Sequence, residues 1–483
     1  GYRSGEKTLR RFTGSNVALD LGVRGVPVAL DEITGAVTRW IAREHRGDRR
    51  AASDDSVART GRRRPRGADS TGTRRAVPMT FQPEEKNMND RIHPTRRRVI
   101  QGLAGAAALG ALPRYAHAQS GPFKIGLILP MTGPFASTGK QVSAACRLYM
   151  ARNGDTIAGR KAELILKDDT GLAPETTKRI AQEMVVQDKV NVLAGFGLTP
   201  LALATAPVAT EAKTPMVVMC AATAIIPQRS PFIVRSGFTL PQVTGPIADW
   251  AAKNKIKRVF TMVTDYGPGL DAEKAFHARF KAAGGEIVEA VKTPLRNPDY
   301  APFLQRAKDA KPDALFVFVP SGEGLAVMKQ FDERGLKQAG IRLIGTGDVT
   351  DDDLLESMGA PAVGVITSFH YSAAHESPEN RAYVSDFMKA NNGMRPNFHS
   401  VGGYDGMHLI YEAAKKAGAA ANGEQLVEAM KGMSWTSPRG PMTIDPSFRD
   451  VVQTVYLREV KMVNGKPWNI EFDKFENVKP MEG

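Results

Sequence analysis

The chain has 483 residues, enough for two or more cored domains, and its 42% apolar and 24% charged residues are an ordinary globular composition. Its net charge of +14 is uneven: residues 1–118 hold 23 basic against 12 acidic side chains, which leaves 42 against 39 beyond them. The basic character therefore belongs to the front segment, and beyond it no run of about 18 apolar residues could span a bilayer.

The front segment contains "GRRRPRG" and "GTRRA" with little apolar periodicity, so residues 1–88 are expected to be disordered or a non-native extension, with Met79 or Met88 a sensible start. A basic arm can bind nucleic acid through phosphates. This one carries no interleaved aromatics, zinc ligands or helix-turn-helix pattern, so no nucleic-acid partner is expected. Residues 89–118 read as an export signal: Arg96, Arg97 and Arg98 precede a short apolar stretch from Val99 to Leu112, then Ala116-His117-Ala118. The run Thr95 to Ile100 resembles the twin-arginine export motif, and cleavage is expected after Ala118, giving a periplasmic protein.

From residue 123 short apolar runs alternate with helical patterns. Strands are predicted at 123–129, 162–168, 190–195, 215–220, 257–263, 285–291, 313–319, 341–346 and 363–369. Helices between them include 139–153, 174–188, 199–213, 269–283, 300–310 and 321–334. Apolar strands each followed by a helix indicate a parallel sheet covered on both faces. The unit count is too large for one sheet, and after residue 370 three consecutive helices (378–392, 401–418, 423–432) precede further strands and a "VNGKP" turn. The expectation is two α/β lobes, the first 119–241 with 372–440 and the second 242–371 with 441–483, crossed near 240, 372 and 440.

The loops after the strands share one design: "PMTGPFASTGKQ", "GFGLTP", "CAATA", "TDYGPG", "PSGEG" and "GTGDVT" are small, Gly-rich or hydroxyl-bearing. In open α/β sheets ligands bind outside the carboxyl ends of the strands, so these loops should converge on one crevice. The first imitates a phosphate loop, but five residues separate Gly133 from Gly139 and Gln141 stands where a hydroxyl is needed. Gly267-x-Gly269-x-x-Ala272 imitates a dinucleotide fingerprint with Pro268 inside it. No nucleophile elbow or His-Glu-x-x-His run occurs, and His370 and His375 are five apart. No catalytic residue, metal or cofactor is therefore assigned. Asp351, Asp352 and Asp353 are read as offsetting the positive end of a helix. Cys146 and Cys220 are read as small buried hydrophobes.

The export signal, "IGLILPMTGPFASTGKQ", "VLAGFGLTP" with "MCAATA", "VTDYGPG" and "GTGDVTDDDL" together resemble the substrate-binding proteins of ABC importers of the Leu/Ile/Val-binding type. The resemblance implies two Rossmann-like lobes joined by three hinge crossovers, the type I periplasmic binding protein fold. It implies a monomeric, non-enzymatic receptor that delivers a small carboxylate-bearing ligand to a membrane ABC permease. Mapped onto this sequence, the carboxylate holders fall on Leu198, Thr199, Ala221, Ala222 and Thr223, and the aromatic of the second lobe on Tyr266. Phe135 and Ser137 fall at the ligand's side-chain end. Tyr371 lies at a crossover, as hinge packing or ligand contact. The family's acidic ammonium holder aligns with Gly347, next to Asp348. Asp348 either turns into the crevice, which leaves an amino acid possible, or caps a helix, which favours an aromatic or aliphatic acid. The rival readings are a nucleotide-cofactor enzyme and a ligand-sensing receptor on the same fold.

Overall fold

The computed structural model describes residues 121–480, so the expected extension, the export signal and the cleavage site after Ala118 lie outside the described residues. Strand β1 (Phe123–Leu129) is buried at every position except the partly covered Lys124. That explains its unbroken apolar run: a strand covered on both faces has no solvent side to alternate toward. Each fully buried Ile or Leu here contributes about 1.5–3 kcal/mol.

The first sheet adds β2 (Thr156–Ile157), β3 (Arg160–Asp168), β4 (Val192–Gly195), β5 (Met216–Val218) and β6 (Ile233–Arg235) in the order β2-β3-β1-β4-β5-β6. All neighbours pair in parallel except the short β2 against β3. The connecting helices are α1 (Ala136–Asn153), α2 (Pro174–Glu183) and α3 (Thr199–Glu211). The single helix expected over 174–188 divides: α2 gives way to a wider π-turn at Met184–Asp188, closed by Lys189 in the left-handed conformation.

Helix α4 (Leu240–Lys253) then leads to the second sheet. Its N-terminus is fixed by a capping box in which Thr239 and Gln242 satisfy each other's backbone N–H groups. Strands β7 (Arg258–Thr264), β8 (Glu286–Thr293), β9 (Ala314–Phe318), β10 (Arg342–Thr346) and β11 (Ile366–Phe369) run parallel in the order β11-β10-β9-β7-β8. They alternate with α5 (Gly267–Ala282), α6 (Ala301–Ala310) and α7 (Gly324–Glu333).

After β11 the chain returns to the first core through α8 (Pro378–Ala390), α9 (Phe398–Ala417) and α10 (Gly423–Met430). Helix α9 lies so close to the end of β5 that a Cβ on Gly402 would sit 2.4 Å from the Met219 carbonyl oxygen, which only glycine allows. Four antiparallel strands, β12 (Ser434–Ser437), β13 (Gly440–Ile444), β14 (Val451–Val463) and β15 (Lys466–Val478), extend the second sheet through β14 beside β11. The β14–β15 turn puts Asn464 and Gly465 at φ 52° and 79°, the left-handed pair that a two-residue hairpin demands.

The chain thus passes between the two sheets three times, and buried Arg439 binds the passages together. Its Nε donates to Asp405 Oδ2 at 2.8 Å, and its Nη1 donates to the Gly237 carbonyl and to Gln453 Oε1, each at 2.9 Å. A guanidinium suits this place because its fixed fork can serve several acceptors while its charge is paired.

Candidate functional site

The carboxyl ends of β4 and β5 from the first sheet and of β7, β9 and β10 from the second open on one cavity with about 390 Å³ of space free of protein atoms, part of it open at the mouth. Phe135, Leu198, Thr199, Ala221 and Ala222 line one side, and Tyr266 and Asp348 line the other, so seven of the ten residues singled out from the sequence meet here. Phe238, Phe318 and Ser321, which have no ligand role in the sequence reading, also line it, as does His399, which reads from the sequence as a structural histidine. Ser321 belonged to a recognised strand-end loop; the others carried no local signal.

The first-lobe wall is an array of hydrogen-bond donors without a cation. Thr199 begins α3, so its N–H has no intrahelical partner. The N–H groups of Ala222 and Thr223 take part in no hydrogen bond among the described residues, whereas Ala221 N–H donates to the Phe196 carbonyl. Thr223 does not line the cavity itself; its hydroxyl meets that of Thr199 at 2.8 Å. From the opposite lobe, α5 begins against this pair: a Cβ on Gly267 would lie 2.6 Å from Thr223 Oγ1. Two helix N-termini with free N–H groups therefore face one spot, an arrangement that favours an anion.

Arg235 sets the shape of that wall from behind. It is fully buried, donates to the Ala221 carbonyl at 2.9 Å, the Phe238 carbonyl at 3.1 Å and the Thr223 carbonyl at 2.8 Å, and pairs with Asp450 at 3.2 Å. Holding the carbonyls away leaves the loop's N–H groups for the cavity. Burial lowers the Arg235 pKa and the Asp450 carboxylate opposes the shift.

The remaining walls are flat and aromatic. Tyr266 and Phe318 stack with centroids 6.1 Å apart and planes 25° apart. Phe238 is backed by His370, stacked at 4.5 Å, and by Phe369. Phe135 packs with Leu198 and Leu201. Asp348 lies in a short 3-10 turn over Gly347–Thr350, where its Oδ2 accepts from Thr346 Oγ1 at 2.8 Å. Burial raises its carboxyl to about 7, against the opposing Thr346 hydrogen bond and the more distant Arg458 charge.

Two expected contacts point elsewhere. Ser137 Oγ donates to Asp353 Oδ2 across the cleft at 2.6 Å, with Gln141 Nε2 adding a second donor at 3.3 Å. Tyr371 is fully buried, and its hydroxyl donates to Asn380 Oδ1 at 3.1 Å. The Asp351–Asp353 triplet differs from its reading as a helix start, since only the single turn Leu355–Met358 follows. Asp351 instead reaches the other lobe, where Asn397 Nδ2 donates to its Oδ2 at 3.1 Å, while Ser321 of its own lobe also donates to it; the Asp352 carboxylate stays within its lobe, pairing with Arg458 and accepting from Asn469. Burial, then the Asp353 charge beside it, holds Asp351 well above the usual carboxylate range. Further cross-lobe bonds run from Ala224 N–H to Asp271 Oδ2 and from Arg296 Nη2 to the Leu172 carbonyl, at 2.9 and 3.0 Å.

Among the described residues no cluster of side chains suits a metal, and both cysteines are free and buried. Lys140 is exposed, and the Gly267–Ala272 stretch spends its glycines on close contacts with Thr223 and with the Thr264 carbonyl rather than on a phosphate.

The family model described as periplasmic binding protein matches residues 122–466. Leu/Ile/Val-binding protein homolog 6 of Brucella melitensis is 44% identical over 376 residues, 76% of this chain and 96% of that relative. A solute-binding protein of an ABC transporter from Rhodopseudomonas palustris BisB5, solved in complex with 3,4-dihydroxybenzoic acid, is 60% identical with a TM-score of 0.73, covering 74% of this chain and 98% of that one. Another from R. palustris, solved with 4-hydroxybenzoate, is 40% identical with the same TM-score and the same coverage. Two lobes and a cleft of free donors agree with these likenesses: the chain belongs to the periplasmic binding protein family, as a solute-binding receptor of an ABC transporter and not an enzyme.

Proposed function

We propose that this receptor binds a monoanionic aromatic carboxylate carrying a ring hydroxyl and hands it to a membrane ABC permease. The observation that carries the reading is the pairing of a cation-free donor wall with a flat slot between Tyr266, Phe318, Phe238 and Phe135. A carboxylate satisfies the N–H groups of Thr199 and Ala222 together with the Thr199 hydroxyl, to which the Thr223 hydroxyl donates from behind, while the ring buries its faces on aromatic carbon. Leu198 and Ala221 close the carboxylate end, and Asp348 accepts a hydrogen bond from the far substituent. The ligands of the two R. palustris proteins fit this chemistry.

A branched or apolar α-amino acid is the second reading. Asp348 favours it, because a buried ammonium needs a carboxylate partner, and the name of the Brucella relative agrees. In both readings the protein is exported through residues 89–118, cleaved after Ala118, and works as a periplasmic monomer without cofactor or nucleic acid. Its lobes are 119–241 with 372–440 and 242–371 with 441–483, the β12–β13 ribbon spanning the boundary: it pairs into the second sheet while its Met442 and Ile444 pack in the first core. Calorimetric titration with benzoate, 4-hydroxybenzoate, 3,4-dihydroxybenzoate and leucine tests the proposal. Tight binding of a hydroxybenzoate and none of leucine is expected; binding of leucine alone would replace the first reading with the second.

A further inference from the structure

We propose that His399 adds to Asp348 a second hydrogen-bond contact to the ring hydroxyl and so sharpens the preference for hydroxylated over unsubstituted rings; this rests on the aromatic-acid reading above. His399 lines the cavity with only 6% of its surface exposed. It stands on the first turn of α9, where its backbone N–H donates to Asn397 Oδ1 at 3.0 Å, so its main chain is fixed. Its ring packs against Phe398 at 3.9 Å, yet Nδ1 is fully buried without a hydrogen-bond partner. A buried polar atom left unpaired opposes folding, and such exceptions in a cavity wall mark a place where something else supplies the partner.

The surrounding polar groups are already committed. Asn397 Nδ2 donates to Asp351, Ser321 donates to the same carboxylate, and the hydroxyls of Thr199 and Thr223 bond each other. The same links place His399 beside the β9 and β10 loops: it is two residues from Asn397, whose amide bonds the carboxylate that takes the hydroxyl of Ser321. Asp348, Asp351, Asp352 and Asp353 come from those loops, with Arg395 and Arg458 packed behind them and His370 beneath Phe238. A second carboxylate on the ligand would add one more acidic group to this crowd. An uncharged hydroxyl would not, and imidazole offers it one acceptor and one donor. Burial holds the ring near a pKa of about 3, which keeps it uncharged over the working range.

The test titrates the protein and its His399→Phe variant with benzoate, 4-hydroxybenzoate and 3,4-dihydroxybenzoate. The variant should lose about tenfold in affinity for the hydroxylated acids, one hydrogen bond's worth, and less than about threefold for benzoate. His399→Gln, which keeps a donor and an acceptor, should recover part of the preference. Equal losses for all three acids, or no loss, would overturn the assignment. Should His399→Phe not fold, ¹⁵N shifts of the His399 ring in the unaltered protein decide. They should report a neutral ring that moves with 4-hydroxybenzoate more than with benzoate; identical responses would sink the idea. If the unaltered protein binds none of the three acids, the functional reading fails with it, whereas binding without discrimination at His399 overturns this inference alone.

Discussion

The two walls of the cleft solve opposite electrostatic problems. The first-lobe wall gathers donors, the helix-start and loop N–H groups around Thr199 and Thr223, with its single buried cation, Arg235, turned away to hold carbonyls. The second-lobe wall presents an acceptor, Asp348, and the loop that carries it continues into Asp351 and Asp352, all three nearly inaccessible to solvent. A ligand with an anion at one end and a donor at the other is oriented by that difference before any contact of shape. Across the lobes, Asp353 accepts from Ser137 and Gln141 and Asp351 accepts from Asn397, so these closure contacts are neutral donors meeting carboxylates. One charged link also crosses the lobes, from buried Arg395 to the half-exposed Glu356 at 2.7 Å.

Removing the support of the donor wall should have the largest effect. Arg235→Met leaves Asp450 buried without its partner and frees the Ala221 and Thr223 carbonyls; a loss of about 3–5 kcal/mol is expected in urea unfolding, with carboxylate binding abolished. If the variant unfolds like the parent and binds as well, the loop is not held by this residue.

On the acceptor wall, Asp348 gives a pH signature. Its folded pKa of about 7 lies above the unfolded value of about 3.9, so the folded state binds more protons between these limits. Its contribution to stability is therefore greatest below pH 4, declines as pH rises toward 7 and is flat above. Asp348→Asn removes that decline: relative to the parent without ligand, it should gain about 2–3 kcal/mol between pH 5 and pH 8. Parallel profiles for the two proteins would mean that Asp348 ionises normally.

Thr223→Val deletes a cradle hydroxyl while keeping volume. Affinity for 4-hydroxybenzoate should fall by about 1–2 kcal/mol with little change in the ligand-free melting temperature, and unchanged affinity would place the carboxylate elsewhere. The smallest effect belongs to the latch. Ser137→Ala removes the 2.6 Å bond to Asp353 and should weaken binding of any ligand by about 0.5–1 kcal/mol, without altering preference among them. A change in preference would return Ser137 to the ligand-contacting set.

The sequence by itself determined the alternation of strands and helices, because a strand buried on both faces shows an unbroken apolar run wherever it packs. Strand β1 spans the expected 123–129, and the Asn464-Gly465 turn was legible since a left-handed pair needs those residue types. Strand β6 and helix α4 escaped notice, β6 because it has three residues and α4 because two prolines obscure its period. The Thr239 and Gln242 capping box was the local signal that could have found α4. That Leu198, Thr199, Ala221 and Ala222 line the cavity was legible through strand-end loops and family likeness, which are properties of the chain in order.

Tertiary structure alone decided the rest. Phe238, Phe318 and His399 reach the cavity from elements far apart in the chain, and nothing in their neighbours announces it. Asp351 and Asp353 look like solvated helix-start acids until the other lobe covers them with Asn397, Ser137 and Gln141. Arg235 reads as one more charged residue until three carbonyls and Asp450 surround it. Local pattern fixes which face of an element is buried; what a buried polar group meets there is set by residues hundreds of positions away, and that meeting determines its charge and its role.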